Sequence, residues 1–447
     1  MRKIAIVGAG QAGLQFGFGL LQHGYDVSVY SDRTPEDILN GPVLATAFMF
    51  DRGLSYEREL GLNFWDDEVR WGEGIHLDFC IEPNNLLFKM EGRFHAPGHA
   101  VDQRLKFSRW MHEFEARGGH LFIEPVDIET LERLTASHDL VVVASGKGEI
   151  SSLFRRDPVR SAYTKPQRKL ILLTLSGVKP WGEIPFYPVK FTFSATDGEI
   201  FWVPFHDRRV GTCYSLLIEA QMGKGMDRFD GVEDGEDAVE VARQILADIA
   251  PWELEHFRDV KLIDRGFRKA MITPIVREPV GTLPSGRIVM GIGDAIVLND
   301  PIAGQGANCA SKAAHFMTQR VLEREDRRFD APWMQQSFDD FWERDAKFIT
   351  AFSNMFLEPV TPAAKEVLLA GSMVPEIAEE FFDNFNDPQR FWPWIQDLHL
   401  ARRHVAEKSG GPWWKTALTA RLAVLRGQVQ QQVQHRLAHV ATSFFSF

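Results

Sequence analysis

Short apolar blocks and helical spacings alternate over the first thirty residues. Lys3–Val7 is a compact β-rich block. Gly13–His23 carries Leu14, Leu20 and Leu21 at helical spacing, Gly24 stops it, and Asp26–Tyr30 alternates as a second strand. The pattern predicts a βαβ unit of about 30 residues. From about residue 45 to about 95 the pattern is irregular and rich in aromatic residues. A helix is predicted over Asp102–Arg117, ended by Gly118-Gly119, then a strand over His120–Glu124. Leu140–Ala144 runs unbroken into Ser145-Gly146-Lys147-Gly148, which suits a parallel strand buried on both faces. Leu170–Leu175, Phe186–Phe193, Glu199–Pro204 and Gly211–Ile218 read as strands with short links, hence an antiparallel sheet. Ala238–Ile249 is a helix, Arg287–Ile292 a strand, and beyond about residue 309 the chain reads as helical.

Composition narrows the class. The chain has 447 residues, 45% apolar and 25% charged, which is ordinary for a soluble globular protein of two or three domains. A net charge of -11 argues against a nucleic-acid partner, since phosphate binding needs a basic face. Cys80, Cys213 and Cys309 are too far apart to form a metal spacing or a disulfide framework, and read as buried thiols in a reducing, cytoplasmic setting. Arg2 and Lys3 before an apolar stretch are not read as a signal peptide, because three glycines at phosphate-loop spacing interrupt it. No run of about 18 apolar residues suggests a membrane span.

The chemistry lies in two segments far apart in sequence. Gly8-x-Gly10-x-x-Gly13 sits between a strand and a helix. There Gly8 permits the tight turn, Gly10 lets backbone approach a pyrophosphate, and Gly13 allows close helix–strand packing. Asp32 is the candidate ribose-binding acid, one position beyond the usual site, which Ser31 occupies; its alternative is a turn residue capping the Ser31-Asp32-Arg33 corner. On the loop alone, NAD(P) and FAD both fit. The second segment favours FAD. Gly293-Asp294 ends a strand, where Asp294 suits ribityl hydroxyls. Asp300-Pro301 leads into Gly304-Gln305-Gly306-Ala307-Asn308, a helix start whose N–H groups suit negative charge at a flavin ring edge.

Further matches identify a resemblance. They are Ala100-Val101-Asp102 with Arg104-Leu105, Glu115–Gly119, Val141–Lys147, Lys165–Arg168, Gly198-Glu199-Ile200 and Asp383–Asn386. Together with Asp300-Pro301-x-x-Gly304–Asn308 they make the chain resemble, over roughly residues 1–390, the flavoprotein monooxygenases that include styrene and indole monooxygenases. The resemblance implies an α/β fold: a Rossmann-like FAD-binding domain (1–45, 96–165, 270–325), an antiparallel-sheet substrate domain (46–95, 166–269) and a helical region (326–400); a basic extension (401–447) continues beyond the resemblance. It implies the oxygenase of a two-component system, which takes FAD reduced by a separate NADH-dependent flavin reductase. Reduced FAD and O2 then give a C4a-hydroperoxide that epoxidises a small aromatic alkene or indole-type substrate. The cofactor-binding set it implies is Gly8, Gly10, Gly13, Asp32, Arg33, Arg104, Gly146, Asp294, Pro301, Gly304, Gln305, Gly306, Ala307 and Asn308. No carboxylate pair, Ser/His/Asp set or metal cluster stands out, as suits chemistry that the cofactor carries.

The candidate substrate pocket is Thr46, Phe48, Phe50, His76, Ala96 and Pro301. Thr46, Phe48 and Phe50 match neither the styrene nor the indole branch, whereas His76 resembles the first and Ala96 the second. The two phenylalanines are read either as an apolar pocket wall or as plain core, and His76 as a donor near the flavin or a structural histidine. In the basic extension, Leu418, Leu422, Leu425, Val429, Val433, Leu437 and Val440 form an amphipathic, heptad-like seam. It suits packing on its own body, a dimer or reductase contact, or an anionic membrane. Competing functions are a single-component NAD(P)H-dependent aromatic hydroxylase and a non-catalytic flavin-binding protein. A flavin-dependent halogenase fits less well, since Trp181-Gly182-Glu183-Ile184-Pro185 only partly echoes the halogenase Trp-x-Trp-x-Ile-Pro.

Overall fold

Two sheets organise the residues described in this computed structural model, 2–146 and 149–444, with the side chains at 149, 264, 265 and 429–444 outside the description. The first has six strands in the order Val280–Thr282, Ile288–Gly291, Leu140–Val143, Lys3–Val7, Asp26–Ser31, His120–Ile123. All neighbours are parallel except the edge pair Val280–Thr282 with Ile288–Gly291. Leu140–Val143 is fully buried, as a strand covered on both faces requires. From Lys3–Val7 the chain first builds outward to one side and later returns to the other. That reversal opens a crevice at the carboxyl ends of the central strands, the position where open α/β sheets bind ligands.

The second sheet has eight strands in the order Lys261–Ala270, Arg168–Ser176, Gly211–Gln221, Gly198–Asp207, Pro188–Ser194, Gly72–Cys80, Leu86–Ala100, Phe48–Met49. Its pairs are antiparallel apart from Gly72–Cys80 with Pro188–Ser194. The stretch read as irregular between residues 45 and 95 therefore holds a nine-residue and much of a fifteen-residue strand. The first was masked because its alternate positions, His76 and Asp78, are buried polar residues, so both faces look inward. The second is interrupted by Gly92, Pro97 and Gly98, and its register shifts between the pairs Gly74–Arg93 and Gly72–Gly98.

The sheet's two faces build separate cores. The outer face packs Leu173, Trp202, Leu216 and Ile218 against Ala242, Ile245 and Leu246 of the helix Gly235–Ile249. The inner face packs Ile75, Leu77, Phe191 and Val203 against Phe48, Phe50 and the C-terminal helical region, including Phe352 on the helix Lys347–Leu357 and Phe385 in the turn after Pro375–Asp383. The helices of that region begin at Ala331 and end with Trp413–Phe444. The first turns of the last helix dock on the body. Ala417 and Ala420 are buried, the Arg402 guanidinium lies 3.9 Å over Trp413, and Arg421 reaches Glu366 at 3.4 Å. Trp414, Leu418, Leu422 and Leu425 face solvent, and the later seam positions Val429, Val433, Leu437 and Val440 lie outside the described side chains. Among the described residues no helix is long and apolar enough to cross a membrane.

Candidate functional site

At the crevice, three strand ends and their glycines meet. Gly8 has φ +118° and donates its N–H to Tyr30 O at 2.9 Å, turning the chain into the helix Gln11–Gln22. A Cβ on Gly13 would lie 1.9 Å from Gly8 O, so only glycine closes this turn. A Cβ on Gly8 would meet Ser145 N at 3.0 Å, one on Gly146 would meet Asp294 O at 2.9 Å, and one on Gly293 would meet the Ala12 side chain at 2.8 Å. Gly8–Gly13, Ala144–Gly146 and Gly293-Asp294 are thus in mutual contact, although about 280 residues separate the first from the last. Lys147 and Gly148, which end the middle segment, lie outside the described residues.

Two helix starts at this crevice differ from six others that carry a side-chain cap. Asp102, Asp127, Asp234, Asp330, Thr361 and Asp397 each accept a backbone N–H at the start of their helices. Gln11–Gln22 and Gly306–Arg324 have no side-chain cap and no acid in the first turn. Their first intrahelical bonds are Leu14 N to Gly10 O (3.0 Å) and Cys309 N to Gln305 O (2.8 Å). The N–H groups of Gln11, Ala12 and Gly13, and of Gly306 and Ala307, precede those bonds. Added Cβ atoms at Gly10, Gly304 and Gly306 would meet nothing within 4 Å, so packing does not require glycine there, although the φ of +64° favours it at Gly304. Open backbone, uncapped N–H groups and positive dipole ends fit the pyrophosphate and electron-rich ring edge of a flavin dinucleotide.

Not every candidate reaches this crevice in the same way. Asp32 and Arg33 are exposed at the end of strand Asp26–Ser31 and stand 3.6 Å apart. The corner is closed by Ser31, whose Oγ accepts from Arg33 N (3.2 Å) and donates to Arg33 O (2.7 Å); the cap expected as the alternative role of Asp32 belongs to Ser31. Asp294 is exposed. Arg104 is buried and engaged by chain atoms: its Nη2 lies 2.7 Å from Asp102 Oδ2 and 3.5 Å from Asp207 Oδ2, and its Nη1 lies 3.4 Å from Gly41 O.

On the other side of Gly304–Asn308 stands an aromatic wall. Phe48 and Phe50 lie 5.2 Å apart, with Phe94 at 6.1 and 5.7 Å and Phe385 at 6.1 Å from Phe50. Ile302 and Ala303, next to Pro301, pack into the same cluster. Asn308 links wall to helix: its Nδ2 donates to Phe48 O (2.8 Å) and Gly304 O (2.9 Å), and its Oδ1 accepts from Phe50 N (3.0 Å). Gln305, fully buried, donates to Ala303 O (3.1 Å) and Phe385 O (2.9 Å). Thr46 hydrogen-bonds Ser215 on the facing sheet at 2.5 Å. Ala96 is half-buried in the irregular register of its strand.

His76 does not join this wall. Strand alternation turns it to the sheet's outer face, 3.6 Å from Asp78 and 3.7 Å from Glu91, beside the Lys190 ammonium that pairs with Asp78 (2.6 Å) and Glu253 (2.9 Å). Burial, then the Lys190 charge, push its pKa down to about 3. The unfolded chain binds the proton more readily, so stability falls as pH drops below about 6.5. Between pH 7 and pH 5 we expect this residue to cost about 1–2 kcal/mol. His76→Gln should flatten that slope in urea titrations at the two pH values, and an unchanged slope would count against it.

The carboxylate pair that the sequence did not disclose also sits on the inner face. Glu199 and Glu219 are register partners on adjacent strands, and both are fully buried. Arg168 pairs with Glu199 through bonds of 2.9 and 3.1 Å. The Glu219 carboxyl instead has that of Asp300, at the head of the Pro301–Ala303 turn, as its nearest charged neighbour, and neither Glu219 oxygen nor Asp300 Oδ2 has a hydrogen-bond donor among the described residues. Burial raises Glu219 and Asp300 and lifts Glu199 to about 7 in spite of Arg168. The signal in the sequence was an acid at an inward position of each of two apolar strands.

Comparison with known proteins agrees with this geometry. A model of the styrene monooxygenase A substrate-binding domain matches residues 146–256. The styrene monooxygenase StyA of a Pseudomonas species is 31% identical over 404 residues, which is 88% of this chain and 94% of that protein. Among solved structures, a flavoprotein/dehydrogenase from Cytophaga hutchinsonii aligns with a TM-score of 0.62 at 13% identity, over 91% of this chain and 99% of that one. The flavin-dependent brominase Bmp2 aligns at 0.55 and 15%, over 96% and 99%. These last two establish the fold alone, and Trp181, the partial echo of a halogenase motif, is a buried residue of the outer core. Sequence identity along nearly the full length, on a fold whose strand ends converge on two uncapped helices, places this chain in the styrene monooxygenase family.

Proposed function

We propose that this chain is the FAD-dependent oxygenase of a two-component monooxygenase that epoxidises a small aromatic alkene of styrene or indole type. The observation that carries the reading is the convergence of two uncapped helix starts and three glycines with open surroundings beside the Phe48–Phe50 wall. Bound FAD, reduced by a separate flavin reductase, supplies with O2 the electrophilic oxygen. The chain binds and orients. Backbone N–H groups after Gly10 hold the pyrophosphate, with Gly146 close behind them. Asp32, Arg33 and Arg104 serve the ribose side, and Asp294 the ribityl chain. Pro301 and the Gly304–Asn308 start receive the ring. Thr46, Phe48, Phe50 and Ala96 hold the alkene and exclude water. His76, on the outer face, has a structural role instead.

Purified protein supplied with reduced FAD and air should oxygenate styrene, indole or a bulkier aryl alkene. Failure on every aryl alkene would sink the epoxidase reading, and rapid NADH consumption without an added reductase would favour a single-component hydroxylase. FAD binding with no turnover under any of these conditions would leave a non-catalytic flavin protein.

The wall needs a gentle test. Phe48 and Phe50 are 6% and 5% exposed, so alanine at either would cost about 3–5 kcal/mol and confound the result. Leucine costs about 1 kcal/mol. Phe48→Leu and Phe50→Leu should each change the styrene-to-indole ratio of kcat/KM by about tenfold, the scale of a methylene-sized change in a fitted pocket. An unchanged ratio would make both residues plain core.

A further inference from the structure

Three carboxyl groups and one guanidinium share the inner face of the eight-stranded sheet. Arg168 is committed to Glu199 by two short bonds, and its remaining contacts are to carbonyls, Gln167 O and Phe356 O, both at 3.3 Å. Glu219 and Asp300 are both fully buried. Among the described residues, no N–H or hydroxyl donor reaches either oxygen of Glu219 or Oδ2 of Asp300. Asp300 Oδ1, among the described residues, accepts the Ile302 N–H alone, at 3.2 Å, which starts the Pro301–Ala303 turn. The other titratable groups near them are Glu199 and, toward the rim, Tyr163, whose hydroxyl donates to Glu358 at 2.5 Å. Two ionised carboxylates in contact and out of water would each carry a desolvation penalty of several kcal/mol and repel one another. One hydrogen between them removes a charge and supplies the missing donor.

We propose that Glu219 and Asp300 hold a single proton between them, and that this shared proton fixes the Asp300–Gly304 turn on which FAD binding depends. Glu219 is then a positioning residue, acting through Asp300. Loss of the proton at alkaline pH sets two negative charges against each other, and the turn gives way. By linkage, FAD affinity falls over the same range.

The proposal rests on the flavin reading only through one of its two readouts. FAD binding is measured by flavin fluorescence from about pH 6 to about pH 9.5, and the protonated-carboxyl band of the apoprotein by infrared difference spectroscopy. Wild-type affinity should fall at least about tenfold across the range. Glu219→Gln, which keeps a donor and carries no charge, should bind within about threefold of wild type at neutral pH, stay flat, and remove one carboxyl's share of the band, leaving only what Glu199 contributes. Asp300→Asn should do the same if Glu219→Gln fails to fold. Equal pH profiles in wild type and variant, or a protonated-carboxyl band whose intensity neither substitution reduces, would overturn the proposal. If neither protein binds FAD at any pH, the flavin reading fails, and the infrared band still decides where the proton sits.

Discussion

Gly10→Val should abolish FAD binding and leave the apoprotein's melting temperature within about 2 °C of wild type. Gly10 precedes the helix in an extended conformation (φ -102°, ψ -167°) that valine adopts readily, and its Cβ would meet no atom of the chain within 4 Å. The new side chain would stand where phosphate oxygens must approach the Gln11, Ala12 and Gly13 N–H groups. Losing two charge-assisted bonds of about 1.5–3 kcal/mol each weakens binding by at least about 100-fold. Gly13→Ala makes the contrast. Its Cβ would lie 1.9 Å from Gly8 O, inside any tolerable contact, so turn and helix must separate. That variant should lose about 3 kcal/mol or more of stability together with the cofactor. Calorimetry and flavin-fluorescence titration of both proteins test the assignment. A Gly10→Val protein that still binds FAD tightly would remove the pyrophosphate from this loop.

The contrast also explains which features were legible in sequence. Gly8–Gly13 and Gly304–Asn308 announce themselves because their constraints are local: a turn, a close approach and a helix start each demand a residue type at a fixed spacing. The Leu140–Val143 and Lys3–Val7 strands show because strands buried on both faces are uniformly apolar. What stayed hidden depends on partners remote in sequence. The strand Gly72–Cys80 looks irregular until Lys190 and Glu253 are seen to bury the polar side of His76 and Asp78. Glu219 looks like a surface acid until the sheet's inner face is seen to bury it with Asp300 and Glu199 as its charged neighbours. Ser31, taken as the mere occupant of the usual acid position, closes the corner itself.

Asn308 is the sharpest case, since its place in the motif suggests a cofactor contact and its side chain has another task. Its amide is spent on Phe48 O, Phe50 N and Gly304 O, so it sets the distance between the helix start and the aromatic wall 258–260 residues away in sequence. Asn308→Ala would leave a buried N–H and two carbonyls without partners at about 1–3 kcal/mol each, a loss of roughly 3–5 kcal/mol once the site relaxes. Asn308→Asp should be no better: it keeps the bond from Phe50 N but replaces two donations with a carboxylate oxygen facing carbonyls. Cofactor affinity should suffer less than stability, because the backbone N–H groups of Gly306 and Ala307 remain. The amount of product per reduced flavin consumed should drop instead, as the wall no longer holds substrate and excludes water at a fixed separation from the ring. Urea titration with paired measurements of product and flavin oxidation reads both effects. An Asn308→Ala protein within about 1 kcal/mol of wild type, with an unchanged product ratio, would show that wall and helix keep their spacing without this link.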